Sequence, residues 1–506
     1  MPTSTLIAPQ LGHTHKGPYR AGPLRGFTPK VREPLNPVNG WSLLDLIAVF
    51  LGALFMAWPA FYNGLPLMYP DILDYVPAGR RVAEALFRHR MSSFYGLHSL
   101  IYSVGIYPLH WETTVWPVIA LQCLLTSFVL FLVVRSLVPQ KTTSRFLVLM
   151  LLLSLFSSLS WFASFATPDI LGPVLYLCIY LLVFARETIS RIERYILYLI
   201  SWWAIASSFT HLQVVICLCF LLASLAIFHS NSLRKKLIPA AELAGIILLA
   251  LGAQTAMDTF LYGRSLDNAP RYPFLTARLV GDGVGRQYLV SHCGETNWEI
   301  CRYEDHLSGN AKDFLWKSSG VWMSAPRDSQ ERILRQNLPL AIAILRTYPI
   351  EQLEQFAGDF WIQLKSFDLD ASERHLVIEH SIGKTLPRLQ SPFLESRQAH
   401  DQLPRHFFSS IEYCVVIGSM LGIATLLPWL WRCRPTRLLG LGFVIISTLP
   451  LNALFTGELY MLENRFQGRV IWLVPLLAAM CAWNWQASRS ARSPQRRAKD
   501  FNRHNL

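Results

Sequence analysis

Long apolar runs alternate with short polar segments along most of the chain. A helix needs about 20 apolar residues to cross a bilayer core, because only a helix satisfies its own backbone hydrogen bonds in lipid. The pattern predicts about ten such spans, near 43–62, 115–134, 146–165, 170–186, 196–212, 213–230, 238–257, 411–431, 438–456 and 470–485. We therefore expect a mainly α fold, a polytopic membrane helix bundle.

The longest polar interruption, 258–410, separates the seventh span from the eighth. At about 150 residues it is long enough for a domain of its own. Within it, 331–367 has helical periodicity, with Pro339 and Pro349 as expected breaks. The predicted organisation is a basic tail (1–42), a membrane core with seven spans (43–257) and a long first outer loop (63–114), an outer domain (258–410), three C-terminal spans (411–485) and a second basic tail (486–506).

The distribution of charge predicts the orientation of the spans. The chain has 506 residues and a net charge of +13, yet only 16% of its residues are charged. Of its 46 Lys and Arg residues, 23 lie in the two tails and in four short loops, 135–145, 186–194, 231–237 and 432–437. Short basic loops stay in the cytoplasm. We therefore expect cytoplasmic termini, an even number of spans, and a bacterial inner membrane as the location.

This topology and attraction to anionic lipid headgroups together explain the positive charge, so no nucleic acid is expected as a partner. The chain also lacks a Walker motif and any run of Cys or His residues. We therefore expect neither a nucleotide nor a redox cofactor.

Two of the nine cysteines fall in the outer segment. Cys293 and Cys301 are separated by seven residues, and an oxidising compartment would favour a disulfide between them. A zinc site that also uses His292 and His306 is the alternative, but it lacks a standard ligand spacing. The pattern favours the disulfide.

Acidic residues at the predicted outer membrane face are the main candidates for chemistry. Asp71 and Asp74 follow the first span, and Asp169 lies in the tight turn after the third. Ionisable groups near a bilayer are costly and therefore indicate function more often than elsewhere. Converging carboxylates suit general-base activation of a hydroxyl, or binding of a divalent cation. The alternative is local structure, since Asp is a favoured helix N-cap.

The layout resembles the GT-C superfamily of integral-membrane glycosyltransferases that use polyprenyl-phosphate sugars. YPDILDY (69–75) is similar to the acidic motif that opens the first outer loop in that superfamily, and 78–105 corresponds to its helices along the membrane surface. TPD (167–169) matches the position of its second acidic residue, after the third span. The resemblance covers most of 43–257 as architecture, and it is carried by two short motifs.

The resemblance implies transfer of a sugar from a polyprenyl-phosphate donor to an envelope glycan or lipid acceptor at the periplasmic face, with inversion. Asp71 would be the base on the acceptor hydroxyl, and Asp74 its possible substitute. Asp169 would orient the acceptor or hold a divalent cation, Mg or Mn.

A cation near the departing phosphate would complete such a site. Arg465 and Arg469, in the last outer turn, can grip phosphate through two parallel hydrogen bonds. Alternatively, they snorkel to the interface or pair with Glu463. His211, at the outer end of the fifth span, is a further donor-phosphate candidate, although a lone His is more often a packing residue.

Two other functional classes stay open at this stage. A transporter or flippase, or a polymerase of lipid-linked glycans, would fit a polytopic chain. A transporter should carry ionisable residues near the middle of several spans and often two related halves. Here the acidic candidates cluster at one surface and no repeated half is evident. A non-catalytic assembly protein is the third class.

Overall fold

The chain folds almost entirely into helices. A computed structural model of the protein describes residues 40–88, 98–228, 233–262, 272–281, 283–307 and 309–504. Within these ranges the regular structure is helical, apart from one isolated β-bridge. The predicted mainly α class is therefore confirmed.

Five helices within the described ranges are long and apolar enough to cross a membrane, at Trp116–Leu137, Ile238–Leu261, Arg405–Cys433, Thr436–Gly457 and Asn464–Ser490. Four shorter apolar helices accompany them, at Leu43–Met56, Thr142–Phe156, Pro168–Phe184 and Phe209–Leu225. The full count of about ten spans stays a prediction.

Within the described residues, eleven helices precede position 263. They are α1 (Leu43–Met56), α2 (Trp58–Asn63), α3 (Ile72–Arg88), α4 (Leu100–His110), α5 (Trp116–Leu137), α6 (Thr142–Phe156), α7 (Leu159–Ala163), α8 (Leu171–Phe184), α9 (Arg191–Ser207), α10 (Phe209–Phe228) and α11 (Leu233–Tyr262). Short 3-10 turns at Pro168–Ile170 and Arg186–Thr188 flank α8.

In the part of the chain described from residue 272 onward, twelve more helices follow. They are α12 (Phe274–Gly281), α13 (Val284–His292), α14 (Ala311–Trp316), α15 (Val321–Ser324), α16 (Arg327–Thr347), α17 (Pro349–Lys365), α18 (Leu376–Thr385), α19 (Pro387–Leu394), α20 (Arg405–Cys433), α21 (Thr436–Leu459), α22 (Asn464–Ile471) and α23 (Leu473–His504). Further 3-10 turns lie at Glu299–His306 and Asp370–Ser372.

Local sequence explains where several helices begin and end. At the start of α1, Ser42 and Asp45 form a capping box, in which each side chain accepts the backbone N–H of the other residue. The predicted span 43–62 is divided at Ala57. Gly64 caps the end of α2 with a φ of 85°, a left-handed conformation that glycine adopts without steric cost. Pro349 starts α17 as predicted, whereas Pro339 lies inside α16, so the predicted break at Pro339 is wrong.

Of the apolar helices near the C-terminus, α20 lies at the periphery of the bundle and the helical stretch Asn464–Ser490 lies at its centre. Only 11% of the most apolar 18-residue stretch of α20 is buried inside the protein. For the corresponding stretch of Asn464–Ser490 the buried share is 78%. Apolar side chains of α20 such as Ile417 and Leu421 are exposed, as expected for a helix that faces lipid. The chain from α22 into α23 therefore runs through the interior of the bundle.

Basic and acidic side chains pair at one end of the bundle. Arg135, at the end of α5, donates hydrogen bonds of 2.8 Å to Glu193 near the start of α9. Arg186, just after α8, pairs with Glu242 of α11. Asp169 lies at the opposite end of the same α8 segment, about 25 Å away at 1.5 Å per residue. The basic loops thus lie together, away from Asp169. Which end faces the cytoplasm stays a prediction.

The segment after α11 contributes to two separate hydrophobic cores. Residues from Ala277 to Ile344 surround a core of their own that includes Phe314 and Leu315. Residues from Leu369 to Leu403 pack instead into the main core of the bundle. A disulfide joins Cys293, just after α13, to Cys301. The later part of this segment is therefore built into the bundle itself.

Candidate functional site

A single β-bridge brings the two acidic motifs together. Leu67 and Phe165 pair in parallel, and the Leu67 N–H donates a 2.9 Å hydrogen bond to the Ser164 carbonyl. Each of these bridged residues stands four positions before an aspartate, Asp71 or Asp169. The two bridged segments run in the same direction, and each aspartate follows its bridged residue by the same number of positions. The bridge therefore brings the two aspartates close together.

Tyrosine side chains connect the same two segments. Tyr75 of α3 packs edge-on against Tyr102 of α4, with ring centroids 5.0 Å apart. Tyr102 donates a 2.7 Å hydrogen bond to Gln122, which in turn donates to the Phe165 carbonyl. Burial raises the pKa of Tyr75 well above its usual value, and the negative charges of Asp71 and Asp169 add to this effect. Both carboxylates thus act on the same phenol.

Each aspartate faces an arginine from one short helix. Arg465 Nη1 lies 2.8 Å from Asp71 Oδ2, and Arg469 Nη1 donates a 2.9 Å hydrogen bond to Asp169 Oδ1. The two arginines are four residues apart on α22, so they project from one helical face. Four residues separated by up to about 400 positions in sequence form adjacent ion pairs.

Asp71 has a second cationic neighbour, which the sequence reading missed. His98 Nε2 lies 3.6 Å from Asp71 Oδ1, and its ring stacks on Tyr75 at 4.4 Å. Burial alone would raise the pKa of Asp71, but Arg465 and His98 hold it well below its usual range. Burial would also lower the pKa of His98, yet the carboxylates of Asp71 and Asp74 raise it above its ordinary value.

Asp169 and Arg469 are held by a tighter network. The hydroxyl of Thr167 donates a 2.9 Å hydrogen bond to Asp169 Oδ2. Arg469 Nη2 donates a 3.0 Å hydrogen bond to Asn452 Oδ1, and the Asn452 amide donates to the Phe466 carbonyl. Only 3% of the Arg469 side chain is exposed. This pair is buried and oriented on both sides.

Arg465 lies among aromatic and acidic groups nearer the surface. Its guanidinium stands 3.9 Å from the ring centroid of Tyr69, and its Nε lies 3.5 Å from Glu463. Tyr69 donates a 3.0 Å hydrogen bond to Glu463, and Lys312 of α14 pairs with the same carboxylate at 2.9 Å. The segment between α11 and α20 therefore reaches the site through Lys312. The alternative pairing of Arg465 with Glu463 is present beside the pairing with Asp71.

The remaining candidates lie at three different places. Asp74 faces Arg81 of its own helix at 4.0 Å, and burial raises its pKa. His211 is fully buried beside the start of α8, where its Nε2 approaches Gly172 and its Nδ1 lies 2.9 Å from the Ala204 carbonyl. The disulfide between Cys293 and Cys301 belongs to the separate core of the outer segment.

The sequence contained weak signals for the residues that were missed. Asn452 is a polar residue inside an apolar run, and buried polar groups in membrane helices mark functional networks. Tyr69 and Glu463 were not missed, since Tyr69 belongs to the predicted acidic motif and Glu463 was an expected partner of the arginines. No local signal distinguished His98 or Lys312, because both reach the site from segments remote from these motifs.

The donor set does not fit a divalent cation. Asp71 and Asp169 are each committed to an arginine, and hard cations prefer several oxygen ligands that are free of competing charge. Among the residues that the structure describes, no group of three or more His, Cys, Asp or Glu side chains could hold a metal ion. The arginine pairs therefore disfavour a Mg or Mn ion between Asp71 and Asp169.

Comparison with known proteins adds no further constraint. A scan against protein-family models, a search of curated proteins and a search of solved structures each found no match.

Proposed function

We propose that this chain is a membrane glycosyltransferase that moves a sugar from a polyprenyl-phosphate donor to an envelope glycan or lipid acceptor. The observation that carries the proposal is the pairing of Asp71 with Arg465 and of Asp169 with Arg469 at one end of an apolar helix bundle. Such a site offers carboxylates for an acceptor hydroxyl and guanidinium groups for a phosphate, beside a region that a lipid tail can occupy.

The reaction needs little covalent chemistry from the protein. Asp71 takes the proton of the acceptor hydroxyl as that oxygen attacks the anomeric carbon. The bond between this carbon and the phosphate oxygen breaks, and its electron pair stays on the phosphate, which leaves as polyprenyl phosphate. A single displacement of this kind inverts the configuration. A base, positioning and charge stabilisation supply most of the rate.

The site residues divide this work according to their surroundings. Arg465 stands at the more exposed pair and is our choice for the donor phosphate. Asp169 is fixed by Thr167 and Arg469, so it is suited to orient an acceptor hydroxyl rather than to change its protonation. His211 lies beside Gly172, which is three residues after Asp169, and its role at the donor phosphate stays a prediction.

A transporter or flippase, or a polymerase, is the alternative class. A transport pathway would call for ionisable groups along the depth of the bundle. The pairs formed by Arg135 with Glu193 and by Arg186 with Glu242 lie at the end of the bundle away from Asp169. This separation favours one reactive end over a continuous polar path.

A reconstituted transfer assay tests the proposal. Purified protein in lipid would receive a panel of polyprenyl-phosphate sugars and acceptors, and product would be followed by mass spectrometry. Asp71→Asn should lower turnover by at least about a hundredfold, within the usual range for loss of a general base, and Asp169→Asn should also lose activity. Asp401→Asn is the matched control, because Asp401 is exposed and asparagine tolerates its positive φ of 56°.

Transfer at the wild-type rate by both Asp71→Asn and Asp169→Asn would remove the catalytic assignment. Absence of transfer with the whole panel, combined with movement of lipid-linked glycans across vesicles, would favour the flippase class.

A further inference from the structure

The two ion pairs of the site differ in how well their arginines are satisfied. Arg469 donates hydrogen bonds from Nη1 to Asp169 and from Nη2 to Asn452, its Nε has no partner, and its side chain is 3% exposed. Arg465 is 12% exposed, and neither its Nε nor its Nη1 makes a hydrogen bond of favourable geometry, although Asp71 lies 2.8 Å away. Arg465 therefore has charge compensation but retains unused hydrogen-bonding capacity.

Each arginine already contacts a carboxylate oxygen within 2.9 Å, so a phosphate that binds either guanidinium competes with that carboxylate. A phosphate group accepts two parallel N–H bonds from a guanidinium, which is the contact that Arg465 lacks. Opening the pair of Arg469 would break a well-aligned hydrogen bond to the buried carboxylate of Asp169. Opening the pair of Arg465 breaks no well-aligned hydrogen bond, because Nη1 lies 2.8 Å from Asp71 without favourable hydrogen-bond geometry. The pair of Arg465 is the one that a phosphate would open.

We propose that the donor phosphate and the Asp71 carboxylate compete for Arg465, so that binding of the donor itself releases the catalytic base. This inference rests on the proposed function and adds an order to it. The donor arrives first, takes the guanidinium, and leaves Asp71 beside His98, ready for the acceptor hydroxyl.

The chemistry of Asp71 agrees with this order. While Arg465 holds the carboxylate, its pKa lies well below the usual range, which makes it a poor proton acceptor. A phosphate anion that draws Arg465 away removes the strongest stabilisation of the charged carboxylate and adds a negative charge nearby. Both changes raise the pKa of Asp71. After transfer the proton passes from Asp71 to water, and departure of polyprenyl phosphate restores the pair.

The charge balance of the cluster favours an incoming anion. Four carboxylates (Asp71, Asp74, Asp169 and Glu463) face four permanent cations (Arg81, Arg465, Arg469 and Lys312). When His98 is protonated beside Asp71, this set of nine groups carries a net charge of +1. A phosphate that binds Arg465 compensates this charge, and His98 keeps Asp71 in place during the exchange.

Binding of polyprenyl phosphate without a sugar tests the competition directly. The full chain would be placed in lipid nanodiscs and titrated with this probe. Asp71→Asn removes the competitor and should tighten binding about tenfold or more, and Arg465→Gln should weaken it by a similar factor. Asp401→Asn is the matched control, because it makes the same change at an exposed residue outside the charged cluster. It should change the affinity less than about twofold.

Labelling of the wild-type protein gives a second measurement that needs no folded variant. A water-soluble carbodiimide should modify Asp71 faster when polyprenyl phosphate is present, because the probe releases the carboxylate from Arg465. Weaker or unchanged binding by Asp71→Asn, or protection of Asp71 by the probe, would overturn the competition. Either result is distinct from failure of the proposed function, which is read from sugar transfer alone.

Discussion

Arg469 donates a 2.9 Å hydrogen bond to Asp169 across 300 positions of sequence. Both side chains are buried, and Thr167 and Asn452 complete the network around them. A buried ion pair adds little net stability as a unit, but the loss of one partner leaves an uncompensated charge in the interior. This pair therefore couples the start of α8 to α22.

Arg469→Gln should destabilise the protein by about 3–5 kcal/mol, because it leaves the Asp169 carboxylate buried without a cation. Unfolding in detergent, followed by heat or denaturant, would measure the loss. The double variant Asp169→Asn with Arg469→Gln should recover part of it, since both charges are then absent. If the single and double variants are equally unstable, the two residues are not coupled.

Stability should depend on pH through His98. Its folded-state pKa lies above the ordinary value of 6.5, mainly because Asp71 and Asp74 oppose the effect of burial and of the nearby Arg465. Protonation of His98 therefore stabilises the fold. The contribution is complete below about pH 6.5 and is lost as pH rises through the raised folded-state pKa.

The melting temperature of the wild type should consequently fall between about pH 6 and about pH 8 more than that of His98→Gln. Asp71 titrates well below this window and the pKa of Tyr75 lies well above it, so neither should mask the effect. Identical profiles for the two proteins would contradict the pairing of His98 with the carboxylates.

A methyl group at Gly172 should disturb the buried side of the site. A Cβ atom at this position would lie 2.8 Å from His211 Nε2, closer than side chains pack, so His211 would have to move. Gly172→Ala should cost about 1–3 kcal/mol of stability. Gly245→Ala on α11 is the control, because no atom lies within 4 Å of its added methyl.

Gly245→Ala should leave stability unchanged or raise it by about 0.5–1 kcal/mol, the usual gain for alanine in a helix. Combining Gly172→Ala with His211→Ala should relieve the close contact and reduce the extra cost of the alanine. If Gly172→Ala is as harmless as Gly245→Ala, His211 is not packed against α8 as described.

The disulfide between Cys293 and Cys301 should stabilise the core of the outer segment. These residues are eight apart, and closing so short a loop is worth roughly 2–3 kcal/mol through chain entropy. Replacing both cysteines by serine should destabilise this segment by that amount, as measured by proteolysis. In cells, the two thiols should react with an alkylating reagent only after reduction. Full reactivity without reductant would argue against an oxidising compartment.

The helical layout could be predicted from local pattern. Apolar runs longer than a bilayer is thick favour helices wherever they occur, and such runs do form α5, α11, α20 and α21. The grouping of the basic loops also followed from the sequence, since those at Arg135 and Arg186 lie at the end of the bundle away from Asp169. These features depend on residues close in sequence, or on a charge bias that acts on each loop separately.

The four charged residues of the candidate site could be predicted from the sequence, but the ion pairs that they form could not. Asp71, Asp169, Arg465 and Arg469 stood out because ionisable groups beside a bilayer are costly. Which arginine holds which aspartate depends on the rotation of α22 against the turn before α8, and that rotation is set by packing. His98 and Lys312 joined the site by the same means.

By itself, the sequence determined a mainly helical membrane chain and a short set of charged candidates at the ends of its apolar runs. Only the folded chain shows that the Leu67 and Phe165 backbones pair, and that Arg469 donates two aligned hydrogen bonds while Nε and Nη1 of Arg465 make none. The physical reason is one of range. Hydrophobic periodicity is a property of neighbouring residues, whereas ion pairing reflects the packing of helices that are hundreds of residues apart.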